Sequence, residues 1–96
     1  MALTLDDALT KGVQVHKSGN LKDAEKIYAA ILKSNPMHPD ANHNFGVLAL
    51  TLNNKKKALL FFEKAIEINP RIEEFWVGYI HTLREEKQFA KAKQVS

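Results

Sequence analysis

The sequence contains no cysteine, which excludes disulfides, thiolate metal sites and cysteine nucleophiles together. No apolar run approaches the roughly 18 residues that a membrane span needs. The opening Met1-Ala2-Leu3-Thr4-Leu5-Asp6-Asp7 lacks the basic start and apolar core of a signal peptide, so a cytoplasmic location is the default expectation. Excess charge is small as well. A formal net charge of +3 does not by itself argue for nucleic acid. The one basic run, Lys55-Lys56-Lys57 with Lys64 after it, has no aromatic stacking platform around it and reads as a solvated helix end. Catalytic motifs are missing too: there is no Gly-rich phosphate loop, paired-histidine helix motif or nucleophile elbow. Glu73-Glu74 and Glu85-Glu86 are sequence neighbours. On a helix their side chains diverge by about 100° and do not converge as an acid–base couple. A chain of this size suits one domain. It buries only about 60–65% of its unfolded surface, so modest stability is expected.

What the sequence does contain is an internal repeat, the feature that decides a fold most strongly when present. Asn35-Pro36 recurs as Asn69-Pro70, a period of 34 residues. The same shift places Asp6 on Asp40, Gly12 on Gly46, Val13 on Val47, Asn20 on Asn54, Lys22 on Lys56, Ala24 on Ala58 and Tyr28 on Phe62. Within the second period, Pro39 suits a helix start. Phe45, Leu48, Ala49 and Leu52 follow at helical spacing. Asn53-Asn54 suits a turn, and a second helical pattern runs through Ala58, Leu59, Phe62, Ala65 and Ile66. Asn69-Pro70 stops it, because a residue before proline avoids the helical region. Each unit is therefore helix, tight turn, helix. The first turn falls at Ser18-Gly19-Asn20 and the third near Glu86-Lys87. A hairpin of this length buries its apolar face only by stacking on its neighbours. Gly12 and Gly46 allow close approach of the paired helices, and Tyr28 and Phe62 fill the space between hairpins.

These residues resemble the tetratricopeptide repeat, whose pattern is a Trp, then Leu-Gly, a Tyr, an Ala, an aromatic four later, and a Pro. The second period matches at Phe45-Gly46, Ala58, Phe62, Ala65 and Pro70, with Asn42 where Trp is usual. The first matches at Gly12, Ala24, Tyr28 and Pro36, with Ala8 and Lys11 at the Trp and Leu positions. The third has Trp76, Tyr79, Leu83 and Ala92, and departs at Ile80, where a small residue is expected. The resemblance implies an all-α, right-handed superhelical array of about two and a half to three helix-turn-helix hairpins. It forms one domain over 1–96, with repeats at about 5–38, 39–72 and a truncated 73–96. The segment His38 to Gly46 is similar to repeats that precede glycosyltransferase and sulfotransferase domains in bacterial multidomain proteins.

In that family the first helix of each hairpin lines a concave groove. The resemblance therefore implies partner-binding positions at Leu9, Val13 and His16, at Asp40, His43, Asn44, Val47 and Thr51, and at Glu74, Val77, His81 and Arg84. Lys17 falls on the same face. Apolar anchors among polar groups suit an extended or helical peptide. His16, His43 and His81 sit on three different hairpins, so a metal site needing convergent ligands is not expected. No cofactor is expected. The carboxylate clamp of chaperone-binding relatives would fall on Leu9, Val13, Asn44, Glu74 and Gly78. Only Asn44 fits, and Glu74 would repel a carboxylate, so binding of chaperone C-terminal tails is not expected. The expected function is a non-catalytic scaffold for a protein or peptide partner. Two alternatives stand beside it. One is self-association through the open C-terminal end, around Phe89, Ala92, Val95, Trp76, Leu83 and the outward-facing Leu60. The other is a non-catalytic N-terminal part of a larger bacterial transferase.

Overall fold

The structure, a computed structural model, describes the backbone of residues 4–95 and the side chains through Lys87. Five helices follow one another: α1 (Leu5–Lys17), α2 (Leu21–Ser34), α3 (Pro39–Thr51), α4 (Lys55–Ile68) and α5 (Glu73–Val95). No strand occurs among the described residues. Consecutive helices pack on each other, and α1 also reaches α3, so the first helices of adjacent hairpins share a face.

Local chemistry explains the boundaries. Thr4 and Asp7 form a reciprocal capping box at the start of α1. Asn20 and Asn54, one period apart, cap α2 and α4 by accepting from the backbone N–H groups of Asp23 and Lys57. Pro39 opens α3, where His38 Nδ1 accepts from the Ala41 N–H at 3.1 Å. The stops repeat as well. Asn35 Oδ1 accepts from the N–H of Met37, and Asn69 Oδ1 from that of Arg71, each bond turning the chain away from the helix.

The core follows the small residues. A methyl at Gly12 would lie 2.7 Å from Tyr28 Cε1, and one at Gly46 would lie 2.6 Å from two atoms of the Phe62 ring. Each ring therefore occupies the space its own hairpin's glycine leaves. Tyr28 also packs toward Phe45, with ring centroids 6.3 Å apart. Ala24, Tyr28, Phe45 and Leu48 form one buried cluster, and Ala49, Ala58 and Phe62 a second. Of α1, only Gly12 is buried, since α2 and α3 are the elements that pack on it.

The third unit departs from expectation. No turn forms near Glu86-Lys87, and α5 continues unbroken for 23 residues. The two hairpin turns each contain a left-handed residue, Gly19 at φ 90° and Asn53 at φ 61°, followed by a capping Asn. One period later stand Lys87 and Gln88. Lysine costs roughly 1–2 kcal/mol in the left-handed region, and glutamine is not a favoured cap, so the helix runs on. Among the described residues no later helix packs against α5, so Ile80 needs no small side chain and is 44% exposed. The expected apolar contributions of Phe89, Ala92 and Val95 fall outside the described side chains.

Candidate partner-binding face

The α1 and α3 faces enclose an open depression of about 380 Å³, lined by Val13, His16, Lys17, Asn44, Val47 and Thr51, with Tyr28 of α2 also contributing. Five of the residues expected from the sequence meet here: Val13, His16, Asn44, Val47 and Thr51. Val13 and His16 lie one helical turn apart on α1, as do Asn44 and Val47 on α3, so each pair shares a face.

His16 Nε2 lies 3.0 Å from Thr51 Oγ1, tying α1 to α3 across the depression. Thr51 Oγ–H donates to the Val47 carbonyl at 3.1 Å. The imidazole therefore satisfies the contact by donating its Nε2–H to Thr51. Burial lowers the His16 pKa from its ordinary value, which favours the neutral ring. With the Thr51 proton directed at the backbone, the pair ties α1 to α3. Tyr28 is fully buried, and its hydroxyl has no hydrogen-bond partner. Desolvation raises its pKa. This ring, expected as a filler between hairpins, also borders the depression.

The remaining expected residues are placed differently. Leu9 packs against the first core cluster. His43, expected on the groove surface, is only 7% exposed. Its ring stacks on Phe75 at 4.9 Å and tilts over Phe62 at 5.3 Å. Gly78 approaches it from α5, where a methyl would stand 3.5 Å from His43 Cε1. That spacing is an ordinary van der Waals contact, and the flanking Phe62 and Phe75 are the sequence signal that could have shown the burial of His43. Burial lowers the His43 pKa, while the carboxylates of Glu74 and Asp40 oppose that shift. Asp40, Glu74, Val77, His81 and Arg84 are exposed and stand apart from the α1–α3 depression. His81 Nε2 contacts Glu85 Oε1 at 2.8 Å, and Glu85 Oε2 lies 3.6 Å from Lys55 Nζ.

The basic run is also engaged. Besides the Lys55–Glu85 pair, Lys57 Nζ stands 4.9 Å above the Phe45 ring, a cation–π contact. Two of the three lysines of the expected solvated helix end thus also make side-chain contacts, while Lys56 is exposed. Among the described residues no group of His, Asp or Glu is arranged to hold a metal ion, and no described helix is long and apolar enough to cross a membrane.

Residues 39–72 match the tetratricopeptide repeat family. The five-helix, all-α fold is consistent with an array of such repeats. The matched unit is the α3–α4 hairpin, from Pro39 through the loop that leads to α5. No curated protein matches the chain.

Proposed function

We propose that the chain is a non-catalytic binding module that holds a peptide or protein segment against the face formed by α1, α3 and α5. The observation that carries this is the α1–α3 depression. Val13 and Val47 give it apolar anchor points, and Asn44, Lys17 and Thr51 supply polar groups around them. An apolar floor with a few placed polar groups is the composition of peptide-binding surfaces that read side chains by pockets and backbone by hydrogen bonds. The Asn44 amide offers both a donor and an acceptor to a bound backbone. Val77 and Arg84 are exposed on α5 and would add contacts to a segment long enough to reach beyond the depression.

The test is selection of binders from a random peptide library displayed on phage, followed by titration of the enriched peptides. Asn44→Ala and Val47→Asp should each weaken binding at least tenfold, whereas Leu60→Glu, on the opposite side, should leave it unchanged. If no peptide is enriched, or if binding answers to Leu60 and not to Val47, this reading is wrong.

A further inference from the structure

A second depression, of about 530 Å³, opens between α4 and α5. Leu60, Ile66, Trp76 and Tyr79 line it, with Glu63 and Glu67 among its polar members. Leu60 is 66% exposed and Trp76 39%. The equivalent place one repeat earlier explains what this surface lacks. Leu32, Asn42 and Phe45, each 34 residues before Ile66, Trp76 and Tyr79, line a smaller depression that Phe61 and Lys64 of α4 border from the next hairpin. Phe61 further closes it by stacking on Phe45 at 4.6 Å. The residue one period after Phe61 is Val95, and the one after Ala58 is Ala92. By register, then, residues 88–95 are the helix that should cover the α4–α5 depression. They cannot do so in their own chain, because they belong to the unbroken α5 and are carried away from it.

We propose that a second copy of this chain fills the depression. Residues 88–95 of one α5 dock between α4 and α5 of the partner, and the partner's residues 88–95 dock in return. The two α5 helices lie antiparallel in a closed, two-fold arrangement. A helix of 23 residues spans about 34 Å, enough for its first half to form the receiving face while its second half reaches the other copy. Charge fits the exchange. The incoming segment, Gln88-Phe89-Ala90-Lys91-Ala92-Lys93-Gln94-Val95, carries two lysines and no acid, and the receiving depression presents Glu63 and Glu67 against a single cation, Lys64. Ile80 and Leu83, 44% and 40% exposed on α5, are covered in the same step. This inference does not rest on peptide binding by the opposite face.

Light scattering after size exclusion, at two concentrations a decade apart, tests it on the full chain. The mass should rise from 10.9 kDa toward twice that value. The double variant Lys87→Gly with Gln88→Asn restores the turn and cap residues of the first hairpin. It should fold residues 88–95 back onto their own chain and give the monomer mass at both concentrations, with helix content by circular dichroism little changed. Leu60→Glu places a good helix former at an exposed site and should raise the dimer dissociation constant at least tenfold. A monomeric parent chain at both concentrations overturns the proposal. So does a dimer that survives Lys87→Gly with Gln88→Asn, whether Leu60→Glu breaks it (a face-to-face contact without exchange) or not (another surface).

Discussion

Asn42 and Trp76 make the same hydrogen bond one repeat apart. Asn42 Nδ2 donates to the Pro36 carbonyl at 3.1 Å, and Trp76 Nε1 donates to the Pro70 carbonyl at 2.7 Å. Asn42 adds a second bond, to the His38 carbonyl at 2.8 Å, and is fully buried. The residue that departs most visibly from the repeat pattern thus keeps the polar task of the indole, pinning the Asn-Pro loop to the next helix. What it gives up is the ring, and the space beside it remains as the depression of about 310 Å³ bordered by Leu32, Pro36, Phe45 and Phe61.

Asn42→Ala should lower unfolding free energy by about 1–3 kcal/mol, since it removes both bonds and leaves a void. Asn42→Trp should restore the loop bond and fill the depression, raising stability by about 1 kcal/mol over the parent chain. Urea denaturation followed by circular dichroism at 222 nm compares the three proteins. A less stable Trp variant would show that the space is not shaped for an indole.

The glycines separate by what surrounds them. Gly46→Ala and Gly12→Ala each drive a methyl into a fully buried ring and should destabilise by about 1–3 kcal/mol, outweighing alanine's better helix propensity. Gly78→Ala meets nothing closer than 3.4 Å. It should be neutral or stabilising by up to about 1 kcal/mol. Melting temperatures of the three variants check the order.

Stability should fall in mild acid. The imidazoles of His16 and His43 hold pKa values below the ordinary 6.5 through desolvation. Above that value both states are neutral and the two groups contribute no pH dependence. As pH falls below it the unfolded chain takes up protons first, so stability declines until the folded values are reached and then levels off. His43→Phe keeps the stack on Phe62 and Phe75 and removes a buried Nδ1 that has no partner. Its stability should drop less between pH 7 and pH 5 than that of the parent chain, with a residual slope from His16. Equal slopes would mean that His43 takes up its proton in the folded chain as readily as in the unfolded one.

The Lys55–Glu85–His81 contacts join α4 to α5 at an exposed edge. Glu85→Gln should change unfolding free energy by no more than about 1 kcal/mol. The difference should shrink further in 1 M salt, where the screening length is about 3 Å. A larger or salt-insensitive loss would place this cluster among the contacts that hold α5 in position.

Most of the architecture was legible because its determinants are local. A capping Asn, a proline that ends a helix and a glycine that makes room for a ring each act within one hairpin, and their recurrence every 34 residues states the repeat. Even the continuous α5 has a local cause, because Lys87 and Gln88 stand where Gly19-Asn20 and Asn53-Asn54 make turns. It does not turn because neither Lys87 nor Gln88 matches the left-handed Gly19 and Asn53 or the capping asparagines that follow them. Other features required the tertiary structure. His43 lies on the face that the pattern assigns to solvent, yet α5 packs over it and two rings, Phe62 of α4 and Phe75 of α5, close around it. Lys57 reads as surface charge, yet the packing of α4 on α3 brings Phe45 under its ammonium group. The pattern along a helix specifies which direction a side chain leaves the backbone. Only the packing of helices from different repeats decides whether water, an aromatic ring or another chain meets it there.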